Sequence, residues 1–443
     1  MILRIILRNF LSFDDEVQFD MFPNLKKTHL NNHIYTSLHN VPLLKQAAVY
    51  GPNGAGKSNL VKALEFIRSF ALDKNFMDGI EIDSFFYLLK PDAMLSPIYL
   101  ALEFECDSKF FFYEIEIARE TVVSEKLSET FPSEGKVDIV YERQGNDVNF
   151  ASDVSVSDDI KRATVGMLEK NQMASLLALN REFPIIPDSR CDVASSWFRE
   201  KLEIIGVHSF LPTLIELLRD DEHMMAFAKD LIGRMEVGIG DLNMAESDFD
   251  NWAKTHIRIA DSLPGEMEVN RNKSLSLNFN DTPILSIKLE DGIRKVYQLM
   301  FDHIGKDGFV GHLTASSQSD GTLRALTLIP ALYFASQKRK TVVVDEINCC
   351  LSSSMVKGIV GYFSKLQKTN GQFIFTTHDE QLLDEREILR SDEIWFVDKR
   401  EGASILYSHN DFKEHHTISP LRGYKEGRYG AIRFVNLLQD EDR

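Results

Sequence analysis

The stretch Gly51-Pro52-Asn53-Gly54-Ala55-Gly56-Lys57-Ser58 decides the fold, because it has the pattern G-x-x-x-x-G-K-S of a phosphate-cradling loop. Its glycines have no Cβ, so the backbone is able to turn tightly and point successive N–H groups inward. A polyphosphate fits this cradle at the positive end of the following helix. An apolar strand, 47–50, precedes the loop and a helical pattern, 59–66, follows it. The sequence therefore predicts a nucleotide site here, rather than a glycine-rich turn without a ligand.

Single residues of this loop have separate predicted roles. Lys57 is expected to reach the β and γ phosphates, and Ser58 is expected to place its hydroxyl on Mg²⁺. The predicted nucleotide contacts of the segment are Gly51, Pro52, Asn53, Gly54, Ala55, Gly56, Lys57, Ser58 and Asn59.

Two later strands end in polar residues that suit phosphate chemistry. The segment 342–346 is a run of valines that ends in Asp345 and Glu346. Asp345 is predicted to hold Mg²⁺ through its water shell, and Glu346 to orient or deprotonate the attacking water. The next strand ends at His378, which is placed to contact a γ-phosphate, although a lone histidine is more often structural. A solvated strand end is the alternative for the acidic pair.

A second anion site is predicted where a helix begins near residue 323. Ser319 and Gly321 lie just before it, in a segment of small hydroxyl and glycine residues, 316–322. Such residues at a helix start leave backbone N–H groups open to an anion. An ordinary capped helix is the alternative.

Periodicity divides the chain into three predicted parts, 1–157, 158–250 and 251–443. The first part after the loop alternates apolar and charged residues, as in a half-exposed antiparallel sheet, with a hairpin turn at 107–109. The second part is predicted to be helical. The third alternates strand and helix over 313–408, which is typical of a parallel α/β core. The other predicted elements are helices at 160–179, 194–205, 211–218, 224–235, 323–335 and 356–368, and strands at 256–259, 274–279, 284–289, 372–377, 394–397 and 404–407.

Composition bounds the class of protein. The 443 residues carry a formal net charge of −17, which argues against non-specific coating of nucleic acid but allows a local basic groove. The four cysteines have no zinc or C-x-x-C spacing and indicate a reducing compartment. No signal peptide and no apolar run of about eighteen residues is present in the sequence, so a cytoplasmic protein is predicted.

The order of these segments resembles the ABC-type ATPase head, and the long separation of Ser58 from Ser319 resembles the Rad50, SMC and RecF branch, where an insertion splits the head. More narrowly, the chain is similar to bacterial AAA15/AAA21 ATPases, related to the overcoming-lysogenization-defect (OLD) proteins and to ATPases of phage-defence systems such as Septu, PARIS and abortive infection. The segments that carry this resemblance are Leu11-Ser12-Phe13, Ser319-Asp320-Gly321-Thr322, Asp345-Glu346-Ile347, Thr376-Thr377-His378, 392–397 and 427–432.

The resemblance implies an ABC-type head with an antiparallel β subdomain and an inserted helical subdomain, using ATP and Mg²⁺. It further implies a head-to-tail dimer with two ATP sites. Each would combine Lys57, Ser58, Asp345, Glu346 and His378 of one subunit with Ser319 and Gly321 of the other. Residues 348–352 would be the loop that communicates between the two sites.

Three positions depart from the pattern of the resembled family. Asp320 occupies a position where the family often has glycine, and Ser352-Ser353 replaces a His-Pro found in relatives. The family's glutamine that touches Mg²⁺ has no counterpart, because no glutamine occurs between Gln46 and Gln144. Its candidate substitutes are Lys90, Asp92 and Ser96. These departures predict slow hydrolysis, with ATP acting as a dimer clamp.

The resulting hypothesis is an ATPase that works as a dimeric switch in bacterial anti-phage defence. No nuclease centre is evident before Arg443, so a separately encoded effector, a nuclease, is the expected partner, with nucleic acid as a further candidate and no membrane contact. The alternatives are a DNA-repair ATPase of the Rad50/RecF kind and an ATP-bound scaffold that holds a toxin inactive. The tail has four basic residues that are typical either of a partner-binding patch or of a solvated face, namely Arg422, Lys425, Arg428 and Arg433. The pair His415-His416 is interpreted as solvated.

Overall fold

The computed structural model describes residues 1–152, 154, 156–207, 214–256, 274–279, 282–366, 369–412 and 419–432, and of 274–279 and 282–284 only the backbone. Its internal contacts divide the chain into two compact units. The first unit is Met1–Ile204, Ala335–Glu346 and Val360–Arg443, and the second is Ile205–Phe334 and Ile347–Ile359. Some predictions lie partly or wholly outside the described residues, namely those for 211–213, 257–259, 367–368, His415-His416 and Arg433.

A seven-stranded antiparallel sheet occupies the first unit, in the order β10-β9-β8-β7-β6-β1-β2. Its strands are β1 (Ile2–Arg8), β2 (Val17–Asp20), β6 (Ile98–Cys106), β7 (Lys109–Ile117), β8 (Val122–Phe131), β9 (Lys136–Gln144) and β10 (Asp147–Phe150). The predicted hairpin is β6 and β7. Its turn, Asp107-Ser108, has positive φ at both residues, which suits the right-handed twist of paired strands.

A six-stranded sheet, also largely in the first unit, has the order β11-β17-β18-β5-β19-β20. Its strands are β5 (Gln46–Tyr50), β11 (Leu202–Ile205), β17 (Thr341–Val344), β18 (Gln372–Thr377), β19 (Ile394–Arg400) and β20 (Ala403–Ser408). The four strands β17, β18, β5 and β19 run parallel, and β20 is antiparallel to β19. Every residue of β5, β17 and β18 is buried, as expected for parallel strands covered on both faces. A small hairpin, β3 (Ile34–Thr36) and β4 (Pro42–Leu44), precedes β5.

Helix α1 (Lys57–Leu72) follows the phosphate loop as predicted. Its buried face includes Leu64, Ile67 and Phe70, spaced three residues apart, so the apolar stripe lies on one side of the helix. These side chains belong to one apolar cluster that also takes residues from both large sheets, among them Val49 and Ile115.

Three short helices of the first unit follow the antiparallel sheet, α2 (Asp158–Lys170), α3 (Leu176–Glu182) and α4 (Ser189–Ser196). Side-chain oxygens of Ser157, Ser175 and Asp188 accept backbone hydrogen bonds at their starts. The predicted continuous helix 160–179 is therefore interrupted, since α2 ends at Lys170 and Ser175 caps a new helix.

The second unit contains helices and a five-stranded antiparallel sheet. The helices α5 (Leu214–Asp220) and α6 (Glu222–Arg234) are separated at Asp221, whose carboxylate accepts from Met224 N. The strands of this sheet are β12 (Ile239–Asp248), β13 (Ser274–Phe279), β14 (Thr282–Glu290), β15 (Ile293–Ile304) and β16 (Val310–Thr314). Their order is β12-β15-β14-β13, and β16 also pairs with β15.

The unit boundaries differ from the predicted divisions at 158 and 250. The helices of 158–196 belong to the first unit, and β12 lies within the segment that was predicted to be helical. The remaining helices are α7 (Phe249–Thr255), α8 (Asp320–Gln337), α9 (Ser353–Ser364) and α10 (Pro420–Lys425). Among the described residues no helix is long and apolar enough to cross a membrane.

Candidate functional site

The phosphate loop lies between β5 and α1 and depends on its glycines. Gly54 and Gly56 have φ of 74° and 119°, values that disfavour other residues. A Cβ on Gly56 would lie 2.3 Å from the Ser404 hydroxyl, and a Cβ on Gly51 would lie 2.3 Å from Val397 O. The backbone of the loop is therefore shaped by close packing from behind, and its exposed side is formed by Asn53 and Gly54.

Strand register brings the distant sequence segments to one sheet edge. Tyr50 pairs with Thr377, and Phe375 pairs with Val344, in parallel neighbouring strands. The carboxyl ends of parallel strands meet at one edge, where ligands bind in open α/β sheets. The loop, the acidic pair and the histidine therefore all begin within a few residues of this edge.

Lys57, Glu346 and His378 converge into one hydrogen-bonded cluster. The Glu346 Oε1 atom lies 3.3 Å from Lys57 Nζ and 2.9 Å from His378 Nε2. Lys57 Nζ also donates to Gly51 O at 3.0 Å and lies 3.0 Å from His378 Nε2. The lysine side chain is 3% exposed and the glutamate 16%, so water screens this cluster only weakly.

Burial and charge act differently on the two ionised partners. Burial lowers the pKa of Lys57 and outweighs the opposing effect of the Glu346 charge. Burial alone would raise the pKa of Glu346, but its hydrogen bond to His378 and the Lys57 charge outweigh it, so that pKa is lowered. The two directions differ because Glu346 has two hydrogen-bonding partners and keeps some exposure, whereas the ammonium group is almost fully enclosed.

Thr376 organises the acidic pair, a role that the sequence did not suggest. Its hydroxyl donates to Asp345 Oδ1 at 2.6 Å and accepts from Glu346 N at 2.7 Å. Glu346 has φ of 48°, a conformation unusual for a non-glycine residue, and the bond from its N–H helps to hold it. The only available signal was a threonine two positions before His378.

Three polar side chains support the loop from behind. The Ser12 hydroxyl accepts from Asn59 Nδ2 and from Ser404 Oγ, both at 2.7 Å. Ser404 N in turn donates to Ser12 O at 2.7 Å. Asn59 was predicted to contact the nucleotide, and in this structure its amide supports the loop through Ser12. Ser12 lies in the segment that contributed to the resemblance, whereas Ser404 gave no sequence signal.

The donor set at the loop fits ATP with Mg²⁺. Asp345 is 5% exposed, and the Ser58 hydroxyl follows Lys57 at the start of α1. Among the described residues no group of three or more His, Cys, Asp or Glu side chains could hold a metal by itself. Mg²⁺ needs no such group, because it keeps several waters and takes one or two protein oxygens together with phosphate oxygens. Ser58 and Asp345 are the residues that would hold it.

Ser319 and Gly321 belong to the second unit and flank the first residue of α8, Asp320. Ser319 Oγ accepts from Thr322 N at 3.2 Å, as a helix cap does. A Cβ on Gly321 would lie 2.8 Å from Cys350 O, so this helix start packs closely on the segment after Glu346. Within this unit the structure therefore brings together the second predicted anion site and the predicted communicating loop.

The three candidates for the missing glutamine lie in a segment attached to the loop after β1. Lys90 Nζ hydrogen-bonds Asp14, and Ser96 O accepts from Asn9 Nδ2 at 2.7 Å. Asp92 has φ of 58° and precedes a short helical turn, Ala93–Leu95. Each of these positions therefore has a local structural role.

Comparison with solved structures gives low identity and low overall similarity to heads of SMC proteins. One is an SMC head bound to the C-terminal winged-helix domain of ScpA, with 13% identity, 92% of this chain and 97% of that chain covered, and a TM-score of 0.45. Another is the SMC head of Thermotoga maritima, with 13% identity, coverages of 92% and 98%, and a TM-score of 0.40. A third, from Pyrococcus furiosus, has an extended coiled coil, 14% identity, coverages of 97% and 98%, and a TM-score of 0.40. The comparison with curated proteins gave no match.

A family profile described as "AAA domain, putative AbiEii toxin, Type IV TA system" matches residues 47–155 and 228–384. The matched ranges cover more than half of the chain and include the phosphate loop, the acidic pair and His378. The prediction of a mixed α/β ATPase head is confirmed at this level. The chain belongs to this family of AAA-domain, P-loop ATPases.

Proposed function

We propose that this protein binds and hydrolyses ATP with Mg²⁺ as a dimeric conformational switch in bacterial anti-phage defence, and that it controls a separately encoded effector, a nuclease. The observation that carries the ATPase part is the convergence of Lys57, Glu346 and His378 beside the phosphate loop. Packing of the core alone does not account for two carboxylates at the end of a buried strand next to a buried lysine.

Each residue of the cluster has a chemical task in this proposal. Glu346, with its lowered pKa, is ionised at neutral pH and accepts a proton from the attacking water. His378 holds the Glu346 carboxylate by a 2.9 Å contact and is placed to sense the terminal phosphate. Lys57 supplies positive charge to the phosphates. Bound Mg²⁺ would neutralise phosphate charge and orient the phosphate oxygens.

The same contacts give the switch a physical basis. In the structure, Lys57 bonds the Gly51 carbonyl and lies 3.3 Å from Glu346. A phosphate that takes the lysine must weaken these contacts, so nucleotide binding changes the surroundings of Glu346 and His378. ATP therefore exchanges one set of interactions for another, as a two-state element requires.

The dimer part of the proposal depends on Ser319 and Gly321 of a second subunit. It is supported by the close packing of Gly321 on Cys350 O, which couples the predicted anion site to the segment after Glu346. A serine-capped helix start is a suitable place for a γ-phosphate offered by a partner.

The defence role is supported by the family description, which names a putative AbiEii toxin and a type IV toxin–antitoxin system. Such systems pair a toxic protein with a neutralising partner, which agrees with a separately encoded effector. The same wording favours a second candidate, an ATP-bound scaffold that holds a toxin inactive. The absence of any glutamine between Gln46 and Gln144 supports slow turnover and so keeps this candidate relevant.

The experiment measures the rate of ATP hydrolysis and the molecular mass in solution for wild type, Lys57→Ala and a matched control, Lys62→Ala. The Lys62 side chain is exposed on the same helix as Lys57. We expect ATP to produce a dimer in wild type and in the control, and to leave Lys57→Ala monomeric and inactive. Equal mass in all three proteins with no turnover would favour the scaffold instead.

A second assay tests the separate effector. The purified chain alone should leave DNA and RNA intact. Nucleic-acid degradation that disappears in Lys57→Ala would overturn the proposal of an external nuclease. Salt-sensitive DNA binding that stimulates turnover would instead support a DNA-repair ATPase.

A further inference from the structure

A cavity of about 740 Å³ lies in the first unit, in addition to the phosphate site. It is lined by residues from four stretches of chain, 26–29, 383–394, 409–412 and 420–429. Its volume falls in the range of about 300–1,000 Å³ that is usual for small-molecule sites. The cavity therefore has room for a ligand the size of a nucleotide.

The lining residue Ile394 is the first residue of β19, so the cavity reaches the edge of the parallel strands opposite the phosphate loop. Gln46, the first residue of β5, donates its side-chain N–H to Ile388 O at 2.6 Å, in the stretch that lines the cavity. The phosphate loop begins after Tyr50, the last residue of that strand. No residue that lines the cavity belongs to the phosphate loop or to the cluster of Lys57, Glu346 and His378, so the two sites are formed by different residues.

The charge of the lining is opposite to that of the whole chain. Five lining side chains are lysine or arginine and one is glutamate, whereas the chain has 67 acidic and 50 basic residues; two of the five cations, Arg390 and Arg428, are paired with Asp392 and Glu426. Two histidines add to the lining. A concentration of cations on an acidic protein favours an anionic ligand, because the local field raises the concentration of anions there.

Buried contacts hold the basic wall in place. The Arg390 side chain is 1% exposed, and Asp392 accepts from its Nε at 2.8 Å and its Nη2 at 2.7 Å. Asp392 also accepts from Asn24 N at 2.7 Å, and Arg390 Nη1 donates to His29 O. The segment that carries Lys26 is thereby fixed to the segment 390–392. Cations on a fixed wall need less ordering when a ligand binds.

The remaining wall is aromatic and apolar. The rings of Phe412 and Tyr429 are 5.1 Å apart in an edge-to-face arrangement, and His409 lies 4.7 Å from Tyr429. Leu389 and Ile394 also line the space. Aromatic faces stack on bases with little sequence preference. A ligand with both a phosphate and a flat ring therefore matches the two kinds of wall.

We propose that this cavity binds a 5′-phosphorylated nucleotide, either a free nucleoside monophosphate or the terminal nucleotide of a single strand, independently of ATP at the phosphate loop. Both sources share the chemistry of one phosphate and one base. The phosphate would lie against Lys26 and Arg386, whose side chains are exposed at the cavity, and the base against Phe412.

The test is carried out with the Lys57→Ala variant of the 443-residue chain, so that the outcome does not depend on ATP binding or switching. The probes are fluorescent AMP, a 5′-phosphorylated single strand, the same strand without phosphate, and adenosine. We expect Lys26→Gln/Arg386→Gln to weaken binding of phosphorylated probes at least about tenfold, as loss of two charge-assisted contacts should. The control Lys161→Gln/Arg162→Gln makes the same charge change at exposed positions of α2 and should bind as before.

The arms of the experiment identify the source of the ligand. Binding of AMP alone assigns a free nucleotide, and tighter binding of the phosphorylated strand assigns a strand end. The proposal is overturned if no phosphorylated probe binds below about 1 mM, if adenosine binds as well as AMP, or if cavity and control variants bind equally. If Lys57→Ala does not fold, wild type saturated with a non-hydrolysable ATP analogue replaces it.

Discussion

Replacing Glu346 by Gln separates the two properties that the site combines, since the amide keeps the shape of the side chain and removes its charge. In the structure Glu346 Oε1 is shared by Lys57 Nζ at 3.3 Å and His378 Nε2 at 2.9 Å. The substitution therefore abolishes the proposed base and at the same time releases the lysine from its ionic partner. Turnover and ATP affinity should change in opposite directions.

The distances give the scale of both effects. At an effective dielectric of about 20, a charge pair 3.3 Å apart interacts by roughly 5 kcal/mol before desolvation is subtracted. The net contribution of such a charge-assisted contact is about 1.5–3 kcal/mol. If half of that opposes phosphate binding, ATP affinity should rise about 3- to 12-fold in the variant. Loss of a general base should lower turnover about 100- to 10,000-fold.

The assay measures phosphate release and ATP binding by calorimetry on the same preparations. The matched control is Glu380→Gln, an acid two residues after His378 whose carboxylate lies 3.8 Å from Lys425. The control should keep wild-type turnover and affinity. Unchanged turnover in Glu346→Gln would refute its role as the base, and unchanged or weaker ATP binding would refute competition between Glu346 and phosphate for Lys57.

Three further predictions follow from the same geometry. Gly56→Ala should lose nucleotide binding and about 1–3 kcal/mol of unfolding free energy, measured by calorimetry and urea titration, because φ is 119° and the added Cβ would lie 2.3 Å from Ser404 Oγ. Thr376→Val should lower turnover about tenfold while ATP binding persists, since Asp345 and Glu346 N lose a shared partner; unaltered turnover would contradict its positioning role. Because the folded pKa of Glu346 is lowered from 4.5, its contribution to stability should be complete above pH 4.5 and lost as pH falls below it, so urea unfolding of wild type and Glu346→Gln should converge in acid.

The sequence predicted those residues of the site whose positions depend on the register of neighbouring strands. The phosphate loop, the acidic pair and His378 each follow a buried strand directly. Parallel neighbours must end at one edge, so their order along the chain was enough to place them together. The antiparallel hairpin at 107–109 was predictable for a similar reason, because its turn residues are local to the sequence.

The division of the chain was less predictable, because it depends on contacts far apart in sequence. Helix periodicity in 158–235 gave no indication that its first helices belong to the unit of the seven-stranded sheet, while α5 packs on β14 and β15 and α6 packs on β12. Ser175 illustrates the cause. Its hydroxyl donates to the buried Glu125 carboxylate at 3.0 Å, which also accepts from Leu176 N at 2.7 Å, so a strand residue 50 positions earlier holds the start of α3.

The residues that sequence reasoning missed at the site are hydroxyls that act through other residues. Ser12, Thr376 and Ser404 come from three distant segments; the first two lie in segments that carry the resemblance, but no role was predicted for any of the three. Their hydrogen bonds reach the loop through Ala55 O and Asn59, and the acidic pair through Asp345 and Glu346 N. A motif identifies the groups that touch phosphate, because phosphate chemistry restricts their type. It does not identify the groups that hold them, since any small donor and acceptor at the right place serves that purpose, and only the fold determines which place is right.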